Sequence, residues 1–349
     1  MSIQIEIVPK LLHFKQAAGT SRGVYTTRPI WYIVLSDTDN PEKRGIGECA
    51  PLHDLSCDYT ADYESILTQF ANEFTEANSI SWDKLIDYPS MRFGFEVAWQ
   101  HYRLDSLKLW DTYFSRGEEG IPINGLIWMG SFESMRQQIE EKIEQGFRCI
   151  KLKIGAIDFD KEIELLTSIR SHFSADEIEL RVDANGAFTP ADAMNKLERL
   201  SKLEIHSIEQ PIQPKQWAEM HRLTSSTPLP IALDEELIGV NLLEDKIKVL
   251  DAIKPQYIIL KPSLHGGLAG CKEWIDLAEA RNIEWWATSA LESNIGLNAI
   301  AQWTATFNPT LPQGLGTGAL FTDNIELPIA VKGDAIWFSP QDEKRIELD

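Results

Sequence analysis

Five ionisable residues end five successive short apolar runs. Lys153 ends Cys149-Ile150-Lys151-Leu152-Lys153, Asp183 ends Leu180-Arg181-Val182-Asp183, and Glu209 ends Ser207-Ile208-Glu209. Asp234 ends Ala232-Leu233-Asp234, and Lys261 ends Ile259-Leu260-Lys261. Successive members are separated by 30, 26, 25 and 27 residues, each step about one strand plus one helix. Asp183, Glu209 and Asp234 would then place three carboxylates around one point. Bare anions so close repel and push one another's pKa upward. A hard divalent cation relieves that repulsion, and an all-oxygen donor set with open positions suits magnesium, with manganese as a substitute. Lys153 and Lys261 flank the three, one before and one after, and Lys151 shares a strand face with Lys153. Two possible proton carriers facing a Lewis acid make a site for removing a proton next to a carboxylate. Taken singly, such a lysine is more often a salt-bridge partner, and such a carboxylate often caps the following helix. Five in one periodic register are much harder to explain that way.

Positioning these residues requires a repeating scaffold. From residue 121 onward, apolar runs at 121–128, 148–154, 178–184, 205–209, 230–234, 256–261, 283–288 and 311–316 alternate with amphipathic helical stretches. This predicts an α/β fold, a (β/α)7β barrel of the TIM type, whose site lies at the C-terminal ends of its strands. Ahead of it, strand-like alternation over 3–14 and 30–37, a third strand near 45–48 and helices over 60–77 and 90–109 predict an α+β capping domain. The polar segment Ala18-Gly19-Thr20-Ser21-Arg22-Gly23 reads as a loop between its first two strands. Residues 1–120 are assigned to the capping domain, 121–322 to the barrel, and 323–349 to a segment returning to the cap. No Gly-x-Gly-x-x-Gly follows a strand, so a dinucleotide fold finds no support.

The bulk properties narrow the class. The 349 residues carry a net charge of -20, which disfavours nucleic acid and anionic membranes as partners. No apolar run approaches the length of a membrane span, and the N-terminus has no signal-peptide pattern. Four cysteines without zinc-motif spacing read as free thiols in a reducing cytoplasm. A small carboxylate substrate is expected; monomer and homo-oligomer stay equally open.

Several motifs carry a family resemblance. Lys151-x-Lys153, Val182-Asp183-Ala184-Asn185, Ile208-Glu209-Gln210-Pro211, Leu233-Asp234-Glu235 and Leu260-Lys261-Pro262 resemble the enolase superfamily, muconate-lactonizing-enzyme subgroup. Gly47-Glu48-Cys49-Ala50-Pro51-Leu52 and Ser90-Met91-Arg92-Phe93-Gly94-Phe95-Glu96 resemble that subgroup's capping domain, so the likeness runs nearly the whole chain. Within the subgroup, Thr20-Ser21-Arg22-Gly23, Asn124-Gly125-Leu126-Ile127-Trp128 and Thr288-Ser289-Ala290-Leu291-Glu292-Ser293 resemble the o-succinylbenzoate synthase family. The segment Gly314-Leu315-Gly316-Thr317-Gly318 lacks the Asp-x-Asp of dipeptide epimerases.

The resemblance implies dehydration of a cyclohexadiene carboxylate to o-succinylbenzoate in menaquinone synthesis. It implies magnesium held by Asp183, Glu209 and Asp234, Lys153 as base and then acid, and Lys261 as the cation opposite; this division of labour is the established pattern of the superfamily and is not read from spacing. It implies a supporting role for Lys151, whose charge would keep the Lys153 amine neutral, and substrate contacts from Arg22, Ser289, Ser293 and Gly316. Asn185 either supports the metal site from behind or forms the turn after its strand. His265 reads as a loop residue, and Glu235 and Glu236 as residues behind the site or at a helix start. Two opposed lysines would also serve an N-succinylamino-acid racemase or a dipeptide epimerase. A non-catalytic barrel that binds a small acid is the rival of another class, and the complete set of five gives it no support.

Overall fold

The computed structural model describes residues 2–20 and 23–348. Three antiparallel strands open the chain: β1 (Ile3–Thr20), β2 (Gly23–Asp37) and β3 (Asn40–Cys49). Alternation along β2 buries both of its faces. Trp31, Ile33 and Leu35 pack beneath α1 (Tyr63–Ala77) and α2 (Pro89–Leu104). Ile30, Tyr32 and Val34 pack the other way, against Ile295 and Phe321. Gly47 lets α2 lie directly on β3, since a Cβ there would stand 1.9 Å from the Gly94 carbonyl oxygen.

The expected loop over 18–23 differs from what is found. β1 continues to Thr20 after a bulge between His13 and Ala18, and Thr20 pairs with Gly23. The second helix stops at Leu104 rather than 109, because Asp105 takes a left-handed φ of 52°.

Residues Ile121–Pro122 (β4) leave the expected first barrel run and join another sheet. The strand–helix alternation starts with β5 (Gly125–Ile127) and α3 (Phe132–Glu144). It continues through β6 (Cys149–Lys153), α4 (Phe159–His172), β7 (Glu179–Asp183), α5 (Ala193–Ser201), β8 (Ser207–Glu209) and α6 (Trp217–Ser226). It ends with β9 (Ile231–Leu233), α7 (Leu243–Ile253), β10 (Tyr257–Leu260), α8 (Gly267–Glu279), β11 (Glu284–Ala287) and α9 (Asn294–Ala305). The seven strands β5 to β11 form one parallel sheet in sequence order. Ile150, Leu152, Leu180, Val182, Ile208 and Ile258 belong to the large apolar core shared with the helices. The intervening Lys151, Lys153, Arg181, Asp183 and Glu209 fall on the opposite strand face.

The run 311–316 is not a strand. Gln313 bridges to Ile123 and Gly314 to Thr288, each as an isolated parallel pair.

The C-terminal part forms β12 (Ile329–Lys332) and β13 (Ala335–Phe338); β13 is the central strand of a small antiparallel sheet, between β12 and β4. The chain then reaches the N-terminal sheet: Arg345 donates to Glu42, and Ile346 and Leu348 pack in the cluster of Leu12 and Phe14. Glu96 of α2 adds a second tie, accepting from the Leu268 amide in the first turn of α8.

Candidate active site

Strand register aligns the site. Lys153 pairs with Asp183, and Asp183 with Glu209, so these three stand level on β6, β7 and β8. Glu209 pairs with Ala232, which leaves Asp234 two residues further along, past the end of β9. Lys261 lies just beyond β10. The five are therefore gathered at one end of the sheet, but not at one level. Two turns beside them take left-handed backbone, at Asn185 (φ 43°) and Gln210 (φ 37°). The Gln210 side-chain oxygen accepts from the amides of Asp234 and Glu236, which holds the strand end that carries Asp234. Nδ1 of His265 does the same for the Lys261 amide, at 3.0 Å.

Each carboxylate is matched by a lysine. Lys151 Nζ donates to both oxygens of Glu209 at 2.8 Å and lies 3.5 Å from Asp183. Lys153 Nζ donates to Asp183 at 2.9 Å and to the Asn185 side-chain oxygen at 3.0 Å. Lys261 Nζ donates to Asp234 at 2.7 Å. Asp183, Glu209 and Asp234 are essentially buried, so the charges are strongly coupled in a low-dielectric setting.

Burial pushes the Glu209 carboxyl up to about 7, with Asp183 and Asp234 adding to the rise against the pull of Lys151. Burial also opposes the charge on Asp183, but Lys153 and Lys151 outweigh it and hold that carboxyl below its ordinary range. Lys151 and Lys261 are raised: burial works against both cations, and the carboxylates beside them more than compensate. The charge of Lys151 is thus taken up by Glu209 and Asp183, the anions that the expected Lys151–Lys153 repulsion would have to act across.

Among the described residues, no three Asp, Glu, His or Cys side chains converge as a ready metal cluster. The donor chemistry nonetheless fits a hard cation: three buried carboxylates at the ends of adjacent strands.

Above this ionic floor lies a cavity of about 310 Å³, suited to a small molecule. Lys151, Lys153, Asp183, Asn185 and Lys261 reach it, whereas Glu209 and Asp234 are not among its lining residues. Tyr25, Leu52 and Leu55 line it from the N-terminal domain, and Trp128 from the segment after β5. Ser289 and Gly316 also line it, and the hydroxyls of Ser289 and Thr317 are 2.6 Å apart.

The remaining expected residues are divided between the cavity and other places. Ser293, expected at the substrate, caps α9: its hydroxyl accepts from the Ile295 amide and donates to the buried Glu48. Glu236 accepts from the Trp217 indole and the Lys215 amide. Glu235 accepts from the Asn185 side-chain amide at 2.9 Å and lines the cavity. Arg22 lies outside the described residues. Sequence reasoning missed Tyr25, Leu52 and Leu55 as wall residues; the likeness over 47–52 touched Leu52, and no motif marked Tyr25 or Leu55.

The comparisons with known proteins agree with this architecture. Residues 134–334 match the family model described as enolase C-terminal domain-like. The chain is 47% identical to an o-succinylbenzoate synthase of Desulfotalea psychrophila, over 94% of this chain and 97% of that one. The crystal structure of MenC from Desulfotalea psychrophila superposes with a TM-score of 0.82 at 42% identity, covering 97% of this chain and all of that one. A substrate-liganded L-Ala-D/L-Glu epimerase of Bacillus subtilis gives a TM-score of 0.82 at 21% identity, covering 97% of each chain; at that identity the likeness is one of fold. No helix among the described residues is long and apolar enough to cross a membrane.

Proposed function

The chain belongs to the o-succinylbenzoate synthase family of the enolase superfamily, and from that premise we propose that it dehydrates 2-succinyl-6-hydroxy-2,4-cyclohexadiene-1-carboxylate to o-succinylbenzoate, a step of menaquinone synthesis. The observation that carries this reading is the cavity floor. Lys153 and Lys261 enter one cavity from strands separated by the three that bear the carboxylates.

Asp183, Glu209 and Asp234 would hold magnesium. Bound there, the ion supplies positive charge beside the substrate carboxylate and lowers the cost of removing the neighbouring proton. Lys153 Nζ takes the proton from the ring carbon bearing the carboxylate. It returns that proton to the departing hydroxyl on the same face, and water leaves as the ring becomes aromatic. Lys261 remains an ammonium on the opposite side and faces the electron-rich intermediate. Asn185 orients the Lys153 amine, and Ser289 with Gly316 meets the far part of the substrate.

Two finer structural readings go with this. The bridges from Gln313 to Ile123, just before β5, and from Gly314 to Thr288, just after β11, support a barrel closed as (β/α)7β. The division at 1–120, 121–322 and 323–349 goes with a cap whose last part is the returning tail. Four free cysteines support a cytoplasmic setting.

The test supplies purified protein and magnesium with the cyclohexadiene acid and follows o-succinylbenzoate. Turnover that Lys153→Ala abolishes supports the proposal. A protein that ignores the acid but exchanges the α-proton of N-succinyl amino acids in deuterated water would be a racemase instead.

A further inference from the structure

Arg28 stands where β2 should be apolar. Along one face of the strand the residues run Arg28, Ile30, Tyr32 and Val34, all buried, and the last three pack toward the barrel. A guanidinium placed on such a face is costly unless its donors are satisfied. Its hydrogen bonds all end on carbonyl oxygens of two segments. Nη1 donates to Pro51 and Nη2 to Ala50, just after β3. Nη2 also donates to Ala290 at 3.1 Å and Nε to Leu291 at 3.2 Å, beyond β11.

The second segment carries backbone strain. Leu291 adopts φ 63°, a left-handed conformation that a branched, bulky residue rarely takes. Besides Arg28, the Ser289 hydroxyl accepts from the Leu291 amide, and Glu292 accepts from the Ala290 amide at 2.6 Å. The two clamped segments furnish Leu52, Ser289, Ala290 and Leu291 to the cavity wall.

We propose that Arg28 is a positioning residue that sets substrate specificity, clamping residues 50–52 of the N-terminal domain to the strained turn at 289–292 so that the cavity wall fits the ring acid. It does not touch the ionic floor, and its effect on the reaction is through the wall alone. The inference rests on the proposed function for the identity of the substrate, but not for the clamp.

Arg28→Lys keeps the charge and loses the fork; Arg28→Ala removes the side chain and leaves space for methylguanidinium. Amide hydrogen exchange of 50–52 and 289–292 reads the clamp, and KM and kcat for the cyclohexadiene acid read its consequence. The expected result is exchange faster by roughly tenfold in both segments together. KM should rise roughly tenfold or more, with kcat kept within about threefold, as for a loss of uniform binding. Methylguanidinium, but not sodium, should lower KM again in Arg28→Ala. If that variant does not fold, Arg28→Lys decides. Unchanged exchange in either segment, a lower melting temperature with unchanged KM, or a fall in kcat alone would overturn the proposal. If the wild-type enzyme does not turn the acid over, the functional reading fails, while the exchange measurement still judges the clamp.

Discussion

Lys151 Nζ stands 2.8 Å from both carboxylate oxygens of Glu209, and both side chains are buried. The lysine is the counter-ion of a carboxylate that burial drives toward protonation, and its charge works against that rise. Removing one partner of such a pair strands the other. Lys151→Met is therefore expected to destabilise the metal-free protein by about 3–5 kcal/mol. Urea unfolding in the presence of chelator measures it, and a change below about 1 kcal/mol would refute the pairing as a stabilising contact.

Lys153 and Lys261 should matter for rate rather than for folding, since each keeps some exposure at the cavity. Lys153→Ala is expected to lower turnover by about 10²–10⁴-fold, the range for a positioned acid–base group. Lys261→Ala should also lower kcat, through lost stabilisation of negative charge, while magnesium affinity is retained or improved because Asp234 loses its competing ammonium. Steady-state kinetics with a parallel magnesium titration separates the two; wild-type kcat in either variant contradicts the assigned role.

Metal removal gives a third expectation. Chelation should abolish turnover, and magnesium should restore it and raise the melting temperature in a concentration-dependent way. Asp183→Asn should shift the magnesium needed for half-maximal activity upward by at least roughly tenfold, the loss of one charged donor. Full activity after exhaustive chelation is the outcome that sinks the metal assignment.

His265 gives a pH dependence with a definite sign. Burial lowers its pKa to about 3, with Lys261 and Lys246 adding to the fall and Asp234 opposing it. Below the ordinary value of 6.5 the unfolded chain binds a proton that the folded chain refuses. Its contribution is thus fully present above about 6.5 and is lost as pH falls toward 3. Glu48 and Glu96, both raised to about 7 chiefly by burial, act with the opposite sign, losing stability as pH rises through that value. The comparison must therefore be a difference: wild type minus His265→Asn, by thermal melts from pH 4 to pH 8. The variant is expected to lose less stability on acidification than the wild type. Parallel melting curves would show that His265 is protonated in the folded protein.

The strand ends were the most legible part of this chain. A period of two within a strand and of one strand–helix unit between strands is a local property, so Lys153, Asp183, Glu209, Asp234 and Lys261 are picked out by position and chemical type alone. The family followed from the residues around them. What sequence could not supply was every relation that depends on register between strands or on contact between distant segments. Asp234 sits two residues beyond the level of Glu209 because β8 and β9 pair that way. Ser293 reads as a substrate contact in its motif, yet Glu48, distant in sequence, takes its hydroxyl and amide protons. The run 311–316 has strand composition, yet only Gln313 and Gly314 form bridges, to Ile123 and Thr288. Arg28 belongs to no motif in the sequence, and only the fold brings the 290–291 carbonyls within its reach. Residue type and periodicity act over a few residues and are written in the chain itself. Which lysine neutralises which carboxylate, and which loop walls the cavity, are set by hydrogen bonds between residues tens to hundreds apart, and only the folded arrangement decides them.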